Sequence, residues 1–211
     1  MKDSANALQI LVLVGGITLV PALLFTVTGF TRIIIVLGFI RSGLGTPTAP
    51  PNQVLVGIAV FLTFFVMFPT FTKIKDDAIV PLQKHKITQE QAFKRAEAPL
   101  REFMFDQTRT KDLALFVKLG KVEDPKTRAD IPTHVLIPAF IISELKTSFQ
   151  IGFLIFLPFL IIDLVVGATL MSMGMVMLPP VFISLPFKIL LFVLVDGWNL
   201  VTRSLVESFH V

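Results

Sequence analysis

IISELKTSFQIGF, residues 141–153, interrupts an apolar stretch that runs from about His134 to Met173. Six of the eight residues from Ser143 to Gln150 are polar. Forty residues of such composition make a helix of about 60 Å if straight, or two half-length pieces that bend near Pro158. Glu144 and Lys146 stand two apart, so on one helix they point to different sides and cannot satisfy each other. Each needs its own partner. Candidates within the apolar parts of the chain are few: Arg32, Asp163, Lys188, Asp196 and Arg203. Lys188 is the only cation near the start of the last apolar segment, which makes Glu144 with Lys188 the preferred pair. Arg32, Lys146, Asp163 and Asp196 are expected as further buried charges. The plainer alternative is that these side chains snorkel at a membrane edge. Charges on several sides of one helix suit a helix surrounded by protein. Four spans leave few helices to surround it, so an oligomer with pairs formed between subunits is expected.

Composition agrees with a membrane setting. The chain has 211 residues, 54% hydrophobic, and a mean hydropathy of +0.79, too apolar for an ordinary soluble domain. Thirteen of its 19 Lys and Arg and ten of its 15 Asp and Glu fall between Lys73 and Asp130. The remainder is nearly uncharged, as membrane spans must be. The basic residues alternate with acids and form no stripe, which argues against nucleic-acid binding. With no cysteine, disulfides, thiolate metal sites and a cysteine nucleophile are excluded. His85, His134 and His210 are scattered and offer no ligand set, so neither a metal nor a cofactor is expected. No Ser/His/Asp order, Gly-rich phosphate loop or paired carboxylate is present, and an enzyme is not expected.

Working outward, the chain divides into three parts: a hydrophobic helical hairpin over 1–72, a polar helical insert over 73–133, and a hydrophobic hairpin over 134–211. The first apolar segment runs from about Leu8 to Ile40, longer than one ~30 Å hydrocarbon crossing, with Pro21 and Gly29 as kink points. It has no clear cleavage site and reads as a first membrane segment, with removal of a preceding leader left open. RSGLGTPTAPPNQ (41–53) is a turn. A second segment runs from Val54 to about Phe71 and ends near Pro69. In the insert, Thr88 and Gln91 match a capping box. Leu100, Phe103 and Met104, then Leu113, Phe116 and Val117, recur at helical spacing; residues 119–132 read as an exposed loop. The last segment runs from about Val181 to Val206 with Pro186 inside it, and Asp196-Gly-Trp-Asn199 reads as a polar break or a subunit contact. Arg32 and Arg41 favour a cytoplasmic first turn, which puts the insert on the extracytoplasmic side.

MSMGMVMLPP (171–180) holds four of the chain's seven methionines. Steps of two place alternate residues about 200° apart on a helix, so the cluster is not one helix face. Gly174 allows unusual backbone angles and Pro179-Pro180 cannot continue a helix. A helix end running into a short loop that presents soft thioethers follows; flexible core filler is the competing reading. Taken together, the residues describe an all-α membrane protein of long, proline-broken helical hairpins with a small helical polar insert.

Long stretches resemble the FliP family, the flagellar type III export-gate protein: FTRIIIVLGFIR (30–41), LGTPTAPPNQVLVGIAVFLTFFVMFP (44–69), APLREFMFDQTRTKDLALF (98–116), SELKTSFQIGFLIFLPFLIIDLVV (143–166), MGMVMLPP (173–180) and ISLPFKILLFVLVDGWNL (183–200). They cover nearly the whole chain. Virulence-secretion homologues share this scaffold, but SELKTSFQIGF and the Pro-Pro after the methionines are closer to the flagellar branch. The resemblance implies five copies assembled with one FliR and four FliQ into a conical, helical gate around the path of unfolded export substrates. It also implies FlhB and FlhA as partners, and a multi-pass protein of the bacterial inner membrane at the flagellar basal body. It places a pore gasket at Met173, Met175, Val176 and Met177, with Val176 standing where relatives carry a methionine. A small ion channel or transporter is the competing class, though four segments offer no inverted repeat; a passive membrane scaffold is the third.

Overall fold

A computed structural model describes residues 25–175 and 177–209, which form helices joined by turns and irregular loops. Most of the first apolar segment, with Pro21, lies outside the described residues, as do Val176 and His210.

α1 spans Phe30–Leu44. It ends because Gly45 takes a left-handed conformation, φ 75°, from which its N–H reaches the Ser42 carbonyl at 3.1 Å; glycine has no Cβ to oppose that. α2, Asn52–Ile74, starts after Pro51, where a missing N–H costs nothing, and keeps Pro69 inside it. The expected end near Pro69 is therefore not a break. Pro69 sits on the exposed face, and the loss of one donor leaves the rest of the ladder intact. The helix continues past residue 72 through a π turn, Lys75–Ile79, and a last α turn, Val80–Gln83. α3, Gln89–Gln107, opens with the expected capping box: Thr88 Oγ1 accepts from the Gln91 N–H at 3.3 Å and Gln91 Oε1 from the Thr88 N–H at 3.1 Å. α4 spans Thr110–Leu119. The loop that follows includes a short 3-10 turn, Arg128–Asp130, and Arg101 of α3 donates to the Arg128 and Ile131 carbonyls at 3.0 and 2.6 Å.

α5, Thr133–Ser172, is one helix of 40 residues with Pro138 and Pro158 both inside it. α6, Pro180–Leu194, carries Pro186 without breaking, and α7 spans Gly197–Glu207. The last apolar segment bends by 65° between them. The hinge is Asp196, in the left-handed region at φ 50°, which makes Asp196-Gly197 the polar break.

Two helical stretches, Asn52–Gln83 and Thr133–Ser172, are long and apolar enough to cross a membrane, and the bent α6–α7 pair adds a third candidate. This is an all-α membrane fold. α1 runs parallel along the middle of α5: Arg32 meets Glu144, Phe39 packs on Phe149, and Phe159 lies against Gly43. α6 folds back antiparallel, with Phe192 against Phe159 and Pro180 beside Gly167. The core between them holds Ile33, Val36, Leu37 and Ile40 of α1 with Leu136 and Phe140 of α5. Many large apolar side chains, Phe61, Phe65, Phe68, Leu154 and Leu164 among them, remain on the outside, as a lipid- or protein-facing surface requires.

The α1–α5 contact is close because glycine permits it. A Cβ on Gly152 would stand 2.4 Å from the Phe39 ring, whereas one on Gly57 would meet nothing within 4 Å. Gly152→Ala is expected to lower stability by roughly 1–3 kcal/mol through overpacking, with Gly57→Ala neutral or better, as read by thermal unfolding in detergent.

Candidate functional site

Two residues of the polar octet on α5, Ser143 and Glu144, meet partners from other segments of the chain. Arg32, in the first turn of α1, is 1% exposed and Glu144 is fully buried. Arg32 Nε donates to Glu144 Oε2 at 3.0 Å, and one terminal nitrogen pairs with Oε1. That same nitrogen donates to Gln107 Oε1 at the end of α3, 3.1 Å away. The other terminal nitrogen donates to the Ser208 carbonyl at 2.7 Å and the Ser208 hydroxyl at 3.1 Å. The Phe209 ring covers the guanidinium at 3.9 Å. Five N–H groups thus meet five acceptors, which is what lets a charge pair exist away from water.

Next to it, Ser143 ties α4 to α5. The Arg109 N–H donates to Ser143 Oγ at 3.1 Å, and Ser143 Oγ donates to Asp112 Oδ2 at 2.7 Å. Arg109 pairs with the same carboxylate at 2.5 Å. Partial burial raises the Asp112 carboxyl, but the bonds from Ser143 and Arg109, with Lys146 nearby, outweigh it and hold the group below the usual aspartate value.

Lys188 has a different partner from the expected one. Its Nζ lies 2.6 Å from Asp163 Oδ2, and Ser184 Oγ donates to Oδ1 at 2.5 Å. The Glu144–Lys188 pairing between subunits is thereby corrected: each charge is answered inside its own chain. The reason is register. Antiparallel packing sets Lys188 level with Asp163, while the parallel α1 brings Arg32 to Glu144. Asp163 is half-buried, and Lys146 and Asp196, expected among the buried charges, are exposed on this chain. Gln107, Asp112, Ser208 and Phe209 were not singled out in the sequence; they come from segments far apart along the chain, and no spacing rule joins them to Arg32 or Ser143.

Beyond the Lys188–Asp163 pair, the α5–α6 hairpin ends in the methionine cluster. Gly174 stands at φ +76°, its N–H donating to the Met171 carbonyl at 3.1 Å, while the Met175 N–H reaches back to the Leu170 carbonyl at 2.9 Å. These are the two bonds of a Schellman ending. Pro179 and Pro180 then set the start of α6, where the first helical position tolerates a proline. The expected helix end and loop are the geometry found. Met171, Met173, Met175 and Met177 are all exposed, Met177 to 97%; none is core filler within this chain. Among the described residues no group of three or more His, Cys, Asp or Glu is placed to hold a metal ion.

The FliP family model matches residues 13–205. The chain is 56% identical over 208 residues to the flagellar biosynthetic protein FliP of Bacillus subtilis (strain 168), covering 99% of this chain and 94% of that one. It belongs to the FliP family. The FliP of Pectobacterium carotovorum subsp. carotovorum is 55% identical over 97% of this chain and 79% of its own length. The FliP of Buchnera aphidicola subsp. Acyrthosiphon pisum (strain APS) is 56% identical over 96% of this chain, which spans 53% of that longer protein. With two helices able to span a membrane, this FliP-family chain is a membrane protein whose relatives are flagellar biosynthetic proteins.

Two outcomes follow from the ion pairs of this FliP-family fold. Lys188→Met is expected to cost the isolated chain roughly 2 kcal/mol in detergent, the scale of a hydrogen bond to a charged group; no loss before copies assemble would return the pair to a subunit interface. Because the Asp112 carboxyl titrates below its ordinary 3.8, its bonds to Ser143 and Arg109 stabilise α4 fully above about pH 4 and are lost as the pH falls through the lowered value. Hydrogen exchange in α4 should therefore rise in that acid range, and Asp112→Asn should raise it already at neutral pH.

Proposed function

We propose that this chain is a core subunit of the flagellar type III protein export gate, and that its methionine tip forms a gasket around the path of unfolded export substrates. The observation that carries the reading is the tip itself: four thioethers held out from a backbone-locked helix ending, with their side chains exposed in the single chain. A conduit for an extended polypeptide must pass varied side chains, yet block ions when idle. Hydrophobic constrictions close by dewetting, and unbranched thioethers reshape around a passing chain. Met173, Met175 and Met177 supply that compliance. Val176, between them in the chain, is branched and stiff at χ1, so it contributes bulk rather than give.

The proposed assembly is a ring of five copies with FliQ and FliR, seated in the inner membrane at the basal body, with FlhA and FlhB as neighbours. Residues 73–133 form its extracytoplasmic insert between hydrophobic hairpins at 1–72 and 134–211. The unpartnered apolar surface of the single chain supports burial against lipid and other subunits, and the internal pairs Arg32–Glu144 and Lys188–Asp163 leave few charges on it without a partner.

Replacing Met173, Met175 and Met177 together with Ala is expected to raise ion leak through the assembled complex and to reduce motility. Normal conductance and motility with an intact complex would overturn the gasket. Ion flux from this chain alone in proteoliposomes would favour a channel or transporter instead.

A further inference from the structure

Six of the chain's seven methionines are among the described residues, and they divide into two environments. Met67 is fully buried and Met104 is 2% exposed, both inside the core. Met171, Met173, Met175 and Met177 are exposed. The chain has no cysteine, so its thioethers are its only oxidisable sulfur, and the accessible ones described are concentrated at the hairpin tip. We infer that Met171, Met173, Met175 and Met177 form a reversible oxidation site, at which peroxide converts the seal from apolar to polar and lets ions through.

The chemistry needs no group beyond hydrogen peroxide. A thioether lone pair attacks one peroxide oxygen, the O–O bond breaks, an S–O bond forms and water leaves. Sulfur loses two electrons and the peroxide gains them. The product is a polar, chiral sulfoxide in place of a flexible apolar side chain. Gating by dewetting depends on apolar lining, so sulfoxides at the tip wet the constriction.

Two features make this a switch rather than damage. The tip owes its shape to backbone bonds, Met175 N–H to Leu170 O and Gly174 N–H to Met171 O, not to packing of the methionine side chains. A Cβ built on Gly174 would meet nothing within 4 Å, so there is room around the turn. Oxidation therefore changes polarity without dismantling the loop, while the core methionines, whose oxidation would disrupt packing, are shielded. Reduction by the two epimer-specific methionine sulfoxide reductases restores the thioethers, a dithiol supplying two electrons and two protons, becoming a disulfide, while the oxygen leaves as water.

The inference rests on the gasket reading, and the test separates the two. Membranes carrying the assembled complex are treated with hydrogen peroxide, and peptides are read by mass spectrometry alongside ion conductance. One added oxygen per methionine is expected in the 171–177 peptide well before Met67 or Met104, with a severalfold rise in conductance. Reductase treatment should reverse both. A variant with Leu at all four positions, whatever its own starting conductance, should show no change on peroxide treatment. Oxidation of Met67 and Met104 at equal rates would overturn the inference. So would an oxidised tip with unchanged conductance, or a leak that the reductases do not reverse. If the oxidised tip stays tight while the triple Ala variant leaks, the oxidation site fails and the gasket stands. If neither leaks, both fail.

Discussion

A guanidinium withdrawn from water must find an acceptor for each of its five N–H groups, and the rest of this fold is arranged to supply them to Arg32. Glu144 takes two, Gln107 one, and the carbonyl and hydroxyl of Ser208 the others. Those acceptors come from the long helix, the polar insert and the C-terminal segment. Removing either charge would strand its partner at a cost of about 3–5 kcal/mol. The pair therefore fixes a parallel α1 along α5, closes the insert onto the same point and draws the end of α7 back under Phe209.

That arrangement has a consequence for the surface. Lys188 and Asp163 answer each other a few turns away, so the two hairpins leave few charges that lack a partner in their own chain. What remains outside is largely apolar: the phenylalanines of α2, the outer face of α5, and the methionine tip. Burial of such a surface in lipid or against other subunits carries little electrostatic penalty. The tip gains its freedom from the opposite principle, since its conformation is set by backbone bonds and a left-handed glycine while its side chains are left unpacked.

Local features were readable in the sequence because local physics sets them. The Thr88–Gln91 capping box, the helical spacing through Leu100, Phe103 and Met104, and the helix ending at Gly174 all depend on residues within a few positions. The prolines misled, because Pro69, Pro158 and Pro186 each remove only one backbone donor inside helices held by packing. The real break, at Asp196, is one of the two readings that Asp196-Gly-Trp-Asn199 offers, and the positive φ there decides between them. The charge partners were least legible. Glu144 was recognised as needing an outside partner and Arg32 stood among the candidates, but the choice depends on whether α1 runs parallel or antiparallel to α5, which no pattern in either segment encodes. Gln107 and Ser208 were invisible for the same reason.

The central claim is that Arg32 and Glu144 hold each other within one chain. A double-mutant cycle on the purified chain tests it, comparing detergent stability of Arg32→Met, Glu144→Leu and the combined variant. The account predicts strong coupling: the double variant loses less than the two single losses added, by at least about 2 kcal/mol, because neither charge is left stranded. Losses that simply add would contradict it.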